Sequence, residues 1–270
     1  MDAKIPSKIL ITGASSGIGA ALARAYAADG VTLSLGGRDY QRLEAVAADC
    51  RKRGAVAIVR CQDVTDRAGM ADWIAGAGPF DLVIANAGIS GGTGSITGGK
   101  DIVAGEDPAQ VREIMAVNVD GVINTVMPAL DQMLEGDAPA SGVRGQIAIM
   151  SSLAGFRGLP GAPAYSASKA AVRSWGEGLR SLLAGQGIKV SVICPGFVES
   201  PMTASNPYPM PFLMASNRAA EIIKKGLARD RARIAFPWPL TAVVWLLAAL
   251  PPSWLDPVLR RFPKKPAARR

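Results

Sequence analysis

Lys8-Ile9-Leu10-Ile11-Thr12 runs directly into Gly13-Ala14-Ser15-Ser16-Gly17-Ile18-Gly19, close to the start of a 270-residue chain. The first five residues form a nearly continuous apolar, β-branched run, as in a strand buried on both faces. The glycines after it permit a tight turn, let a pyrophosphate approach the backbone and let the next helix pack closely on the sheet. That helix, read over 17–29, would offer the unpaired N–H groups of its first turn to phosphates. The spacing is G-x-x-x-G-x-G rather than the commoner G-x-G-x-x-G, so by itself it leaves a merely structural turn open.

The same alternation recurs along the chain. Strand-like runs at 31–35, 55–59, 81–86, 146–151 and 189–194 are separated by helix-patterned segments at 40–53, 108–134 and 164–184. Repeated strand–helix alternation implies right-handed βαβ units and a doubly wound parallel α/β sheet of about seven strands, covered by helices on both faces. No linker separates the units, so one domain over 1–236 is expected, followed by an appendage over 237–270. The stretches 90–99, with five glycines, and 136–145 read as surface loops.

Composition narrows the chemistry. Hydrophobic residues make up 49% of the chain, enough to exclude a disordered protein. There is no histidine, which removes Ser-His-Asp and Cys-His catalysis and every imidazole-ligated metal site. Cys50, Cys61 and Cys194 are too few and too scattered for a disulfide framework or a metal cluster, so no metal is expected and a reducing, cytoplasmic compartment is. No signal peptide is visible in the first residues. The net charge of +8 lies almost entirely between Arg229 and Arg270, which holds nine basic and two acidic residues. The rest is balanced, and without a basic surface with interleaved aromatics nucleic-acid binding is not expected.

Which dinucleotide fits the glycine turn depends on the end of the second strand, Gly36-Gly37-Arg38-Asp39. A carboxylate at the strand edge would hold the ribose hydroxyls of NAD, whereas arginine accepts the 2′-phosphate of NADP. Asp39 lies past the strand, placed to cap the helix running through Leu43 and Val46. Gly37 carries no carboxylate, and Arg38 is then available to fork onto a phosphate or to stack on adenine. NADP is therefore expected over NAD.

Tyr165-Ser166-Ala167-Ser168-Lys169 sets a phenol and an amine one helical turn apart on one face. A phenol with a pKa near 10 is a poor acid–base catalyst at neutral pH, and a nearby ammonium would lower that value. Ser152 precedes Tyr165 by thirteen residues at a strand end; Ser151 is its neighbour, but the spacing favours Ser152.

With these motifs in this order, the chain resembles the short-chain dehydrogenase/reductase family, in its branch of about 250 residues. The likeness runs from about Lys8 to Pro237. It implies a Rossmann-like fold and a cofactor turn made by Gly13, Ser15, Ser16, Gly17, Ile18 and Gly19. It also implies an adenine contact from Asp63 and Val64, and a fourth-strand motif in Asn86, Ala87 and Gly88. Pro195, Gly196, Val198 and Ser200 follow the sixth strand, with Ser200 in the slot where threonine usually holds the nicotinamide carboxamide. Ala85 also departs from the family's usual asparagine. Tyr165 is then the proton donor or acceptor, and Ser152 orients the carbonyl. Lys169 grips the nicotinamide ribose and lowers the phenol pKa, and Asn118 holds a water that passes protons to solvent. A homodimer or homotetramer built on the helices near 108–134 and 164–184 is also implied.

The loop 197–217 is expected to cover the substrate, its Met202, Met210, Phe212, Leu213 and Met214 making it apolar and adaptable. From Ile234 to Leu255 no residue is charged, but Pro237, Pro239, Pro251 and Pro252 leave only eleven residues between prolines, too few to span a bilayer. Trp238, Trp245 and Trp254, with Arg229, Arg231 and Arg233 before and Arg260, Arg261, Lys264 and Lys265 after, suit a segment lying on a membrane surface. Packing on its own domain or on a sister subunit is the rival reading. The leading expectation is an NADPH-dependent reductase, or the reverse dehydrogenase, for a lipophilic carbonyl or alcohol such as a keto-lipid. A steroid- or retinoid-like alcohol dehydrogenase and a non-catalytic NADP sensor are the alternatives.

Overall fold

Seven short, mostly apolar segments pair in register to form the centre of the computed structural model, which describes residues 6–98, 101–135, 139, 141–204, 206 and 208–259. In chain order the elements begin with β1 (Lys8–Thr12), α1 (Gly17–Tyr26), β2 (Thr32–Gly37), α2 (Tyr40–Arg51), β3 (Val56–Cys61), α3 (Arg67–Ala77) and β4 (Leu82–Ala85). A short hairpin, β5 (Gly94–Gly98) and β6 (Asp101–Gly105), leads to α4 (Pro108–Met115), a π-helical turn (Ala116–Asp120) and α5 (Gly121–Leu134). The second half holds β7 (Gly145–Met150), a 3₁₀ turn (Leu153–Phe156), α6 (Pro163–Leu183), β8 (Ile188–Pro195), α7 (Pro201–Ala204), α8 (Ser216–Ala228), β9 (Arg233–Phe236), α9 (Trp238–Ala249) and α10 (Pro252–Leu259).

The large sheet runs β3-β2-β1-β4-β7-β8-β9, and every pairing in it is parallel. The chain winds outward from β1 to β3 and then crosses back to β4, so the winding reverses between β1 and β4. A crevice opens there beyond the carboxyl ends of the strands.

The central strands are buried on both faces, which explains their uninterrupted apolar runs, while the edge strand β3 exposes Val56 and Ile58. Side chains alternate along a strand, so Ile9 and Ile11 join one core with Leu22, Leu43 and Ile223, while Leu10 joins the other with Trp73, Val126 and Val172. Leu82 and Ile84 likewise oppose Val83 and Ala85, and Ala148 and Met150 oppose Ile147 and Ile149.

Two sequence expectations change. The glycine-rich stretch 90–99 is not all loop: Gly94–Gly98 pairs antiparallel with Asp101–Gly105, two segments that hold the β-favouring Ile96, Thr97, Ile102 and Val103. The segment 108–134 is not one regular helix, since the π turn divides it. Gly145 opens β7, residues 141–144 form a turn before it, and 136–138 and 140 of the expected loop lie outside the described residues.

The helix carrying Tyr165 and Lys169 lies close to the sheet because Gly176 faces it: a Cβ there would come within 2.7 Å of Val192 and 3.0 Å of Ile149. Gly178, two residues on, faces open space. Gly176→Ala is therefore expected to destabilise the protein by about 1–3 kcal/mol through overpacking. Gly178→Ala should stabilise it by roughly 0.5–1 kcal/mol through helix propensity. Urea unfolding of the two variants checks this, and equal effects of the same sign would contradict the placement.

Candidate active site

The carboxyl ends of β1 and β4 are sewn together by side chains. Thr12 Oγ1 accepts from the Asn86 and Ala87 N–H groups at 3.1 and 3.2 Å, and Asn86 Nδ2 donates to the Thr12 and Gly13 carbonyls at 3.0 and 3.1 Å. Gly13 adopts φ +65°, and a Cβ there would meet Ala87 Cα at 2.8 Å. Gly19 is as constrained, since its Cβ would fall 2.3 Å from the Gly13 carbonyl oxygen. Ser16 precedes α1 in extended backbone and makes no side-chain cap, so the first-turn N–H groups face the crevice.

From this seam a cleft of about 630 Å³ runs along the strand ends. Every catalytic and cofactor residue expected from the sequence lines it except Gly19 and Asn118, whereas of the apolar loop residues expected to cover a substrate only Met202 does, and Phe212 and Leu213 are exposed. Gly19 lies beneath the turn, and Asn118 is fully buried. The cleft extends from Arg38, Asp63 and Val64 past Gly13, Gly17 and Asn86 to Ser152, Tyr165, Lys169 and Gly196.

At the far end of β2 the strand reaches Gly37, two residues beyond the expected Leu35, which leaves Arg38 exposed at its tip. Asp39 caps α2, its carboxylate accepting from the Arg42 N–H at 3.0 Å. Arg42 also lines the cleft, its Nε 3.1 Å from Asp39 Oδ2. Sequence reasoning missed Arg42. Its signal was the spacing of four from Arg38, which brings a first-turn arginine beside one at the strand end. Asp63 faces its own turn, accepting from the Thr65 N–H and hydroxyl at 2.9 and 2.8 Å.

At the opposite end, Ser152 accepts from the Ala154 N–H at 3.1 Å, donates to the Pro195 carbonyl at 3.4 Å and lies beside the Tyr165 phenol, whose pKa it lowers. Ser151, its neighbour, is turned inward and donates to the Lys169 carbonyl at 2.7 Å. The two serines are thereby distinguished: one holds the helix and the other faces the phenol. Burial pushes the Tyr165 pKa up, opposed by Ser152 and raised further by Tyr208, a second phenol that the sequence reading did not single out. Tyr208 packs edge-on against Phe197, with ring centroids 6.4 Å apart.

Lys169 is buried, its Nζ 2.9 Å from the Met150 carbonyl and 5.8 Å from the centre of the Tyr165 ring. Burial brings its pKa down to about 8. The expected lowering of the phenol pKa by this ammonium is thus not the dominant effect in the folded protein, because desolvation acts on both groups against their charged forms.

Asn118 sits in the π turn, a distortion that recurs at functional sites. Its Oδ1 accepts from the Ile89 N–H at 2.8 Å, and its Nδ2 donates to the Ile89 carbonyl at 2.9 Å and to Ser168 Oγ at 3.0 Å. Ser168 in turn donates to the Tyr165 carbonyl at 2.8 Å. Both side-chain N–H groups are engaged by protein, so the amide splices the loop after β4 to the helix that carries Tyr165. The Ser200 hydroxyl accepts from the Thr203 N–H at 3.2 Å at the start of α7. Among the described residues, no group of three or more Cys, Asp or Glu side chains is placed to hold a metal ion.

The Lys169 environment has a measurable consequence. Its pKa is about 8 in the folded protein against 10.5 for the ordinary side chain. Between those values the unfolded chain binds more protons, so this residue's contribution to stability rises with pH. The stability of the wild type relative to Lys169→Met is expected to climb between about pH 8 and pH 10.5, by up to about 3 kcal/mol. A pH-independent difference in denaturant unfolding would contradict the buried, weakly basic amine.

The model of the short chain dehydrogenase family matches residues 7–209. An uncharacterized oxidoreductase of Myxococcus xanthus is 40% identical over 258 residues, covering 94% of this chain and 96% of that one. An uncharacterized oxidoreductase of Mycobacterium tuberculosis is 36% identical over 268 residues, with the same coverage. In fold the protein is similar to a short-chain dehydrogenase from Sphingobium yanoikuyae solved in complex with NADPH, with a TM-score of 0.76 over 97% of this chain and 98% of that chain at 24% identity. The glycine turn, the seven-stranded parallel sheet and these matches agree on one assignment: this chain belongs to the short-chain dehydrogenase/reductase family of oxidoreductases.

Proposed function

We propose that the protein is an NADPH-dependent carbonyl reductase for lipophilic ketones, running as an alcohol dehydrogenase in reverse. The observation that carries this reading is a single cleft with Arg38 at one end and Ser152, Tyr165 and Lys169 at the other. A dinucleotide fits its floor. Glycines at 13 and 17 keep the backbone bare, the start of α1 presents N–H groups to a pyrophosphate, and Arg38 with Arg42 offers cations to a 2′-phosphate. The NADPH bound by the Sphingobium relative in fold supports the same choice.

The cofactor, when bound, supplies hydride to the carbonyl carbon. Ser152 then orients the carbonyl oxygen and Tyr165 transfers its phenolic proton to that oxygen as negative charge develops, leaving a phenolate. Ser152 and the Lys169 ammonium stabilise that phenolate, offsetting the burial that would otherwise disfavour it. Oxidation reverses each transfer. Ile89, Val117, Met150, Val198 and Met202 give the cleft an apolar lining suited to a keto-lipid or similar substrate. Ile123 and Met127 on α5 and Leu182 on α6 are exposed, which supports a homodimer or homotetramer built on those helices. The exposed apolar C-terminal helices support a peripheral site on a membrane and a place in lipid metabolism.

Tyr165→Phe keeps the ring but removes the proton donor. It is expected to reduce kcat about 10²–10⁴-fold while NADPH binding, followed by cofactor fluorescence, stays within about twofold. Retention of turnover would remove Tyr165 from the role. Arg38→Ala should weaken NADPH binding roughly 10- to 100-fold and leave NADH nearly unchanged. Tighter binding of NADH than NADPH by the wild type would reverse the cofactor assignment. A screen of NADPH oxidation against ketones of graded chain length tests the substrate class; activity confined to short, polar ketones would overturn it.

A further inference from the structure

The outer face of α9 and the start of α10 is apolar and open. α9 contains no charged residue, and a helix apolar on all sides is ordinarily covered on all sides. Only one side of it is seated. Leu240 and Val244 pack on Leu153, Val192 and Cys194, and Arg157 Nη1 donates to the Leu250 carbonyl at 2.9 Å. On the other side Trp238, Val243, Trp245 and Leu246 are 79, 54, 63 and 57% exposed, and Trp254 in α10 is 70% exposed. Three of the chain's five tryptophans are therefore turned outward along one 17-residue stretch.

We infer that this face docks on the surface of an anionic lipid bilayer and holds the catalytic end of the cleft beside the lipid. The part concerning substrate entry rests on the lipophilic-ketone reading above; the docking itself does not. Length excludes spanning: the twelve residues of α9 extend about 18 Å against a hydrocarbon core of about 30 Å, and no described helix is long and apolar enough to cross. Residue type favours an interface, since an indole has an apolar body and a single N–H that is satisfied where lipid meets water.

Charge decides between lipid and a second copy. The segment from Arg229 to Arg270 carries nine basic and two acidic residues in a chain otherwise balanced, six of the nine basic ones following Leu259, outside the described residues. A second copy of the chain carries the same surplus of cations and offers nothing to neutralise them. Anionic headgroups instead neutralise them.

Position links the face to the site. A Cβ on Gly196, which lines the cleft, would lie 3.0 Å from Leu240 Cδ2, and Leu153 directly follows Ser152. The helix whose outer side meets lipid thus has its inner side against residues adjoining the catalytic serine.

The test is flotation of the full-length protein with vesicles of phosphatidylglycerol and phosphatidylcholine, compared with vesicles of phosphatidylcholine alone. The wild type is expected to float with the anionic vesicles and to bind at least about tenfold less to the zwitterionic ones, or when salt is raised to about 0.5 M. The triple variant W238S/W245S/W254S should stay in the soluble fraction while retaining NADPH binding. A second measurement needs no variant: vesicles containing brominated acyl chains should quench the wild type's tryptophan emission. A wild type that remains soluble with anionic vesicles, or emission that brominated lipid leaves unchanged, overturns the proposal. A variant that floats as well as the wild type does so too. So does loss of oligomeric mass in the variant by light scattering without flotation of the wild type, which would assign the face to a second copy. Neither flotation nor quenching requires turnover, so failure here is distinct from failure of the reductase reading.

Discussion

Between β1 and β4 the winding of the sheet reverses, and the two carboxyl ends left side by side must be joined without filling the space above them. Thr12 and Asn86 make that joint with four hydrogen bonds, while glycine at 13 and 19 removes the atoms that would block it. Thr12, at the centre of the joint, is buried, so losing its partners would leave a polar group unsatisfied at a cost of about 1–3 kcal/mol. Because it is tight, the backbone after Gly13 lies bare along the cleft floor and α1 starts with its N–H groups turned to that floor. The strand ends carrying Arg38, Ser152 and Gly196 project from the same sheet edge and line one cleft.

Burial sets the chemistry at the other end. Lys169 is buried and Tyr165 half-buried, and desolvation pushes the phenol up and the amine down. Taken alone, this opposes the phenolate that the proposed reaction forms. Ser152, beside the phenol, counters it, and Lys169 remains close enough to respond to charge there. The anchoring around them is extensive. Ser151 holds Lys169, Ser168 holds Tyr165, Asn118 holds Ser168, and Gly176 lets the helix lie against the sheet. A proton transfer that depends on tenths of an ångström is supported by elements that have little freedom to shift.

The sequence made the parallel sheet legible because strands buried on both faces are uninterrupted apolar runs, and those of 8–12 and 146–151 have no other reading in a chain of this composition. The glycine turn was legible because bare backbone can only be written as glycine. Asp39 was recognisable as a helix cap because it stands just before an amphipathic helix. What stayed hidden depended on three-dimensional neighbours. Nothing local shows that the Asn118 amide is engaged by Ile89 and Ser168, that the Ser200 hydroxyl meets the Thr203 N–H, or that Arg42 comes round beside Arg38. The hairpin at 94–105 was masked by its glycines, whose turn-forming tendency outweighed four β-favouring residues in the reading. The direction of the Tyr165 shift was hidden for the same reason: burial is a property of the packed molecule, while the lysine four residues away is visible in the chain.

The proposed function requires one cleft to receive the whole cofactor, with the 2′-phosphate at the β2 end and the nicotinamide at Tyr165. A crystal structure of the protein grown with NADPH measures this directly. The 2′-phosphate is expected within hydrogen-bonding distance of Arg38 or Arg42, the pyrophosphate on the backbone between Gly13 and Gly19, and the nicotinamide ring beside Ser152 and Tyr165. An NADPH molecule bound instead in the second cleft, lined by Ala21, Arg24, Arg53, Asn217 and Arg218, or one whose nicotinamide faces away from Tyr165, would contradict the proposed function.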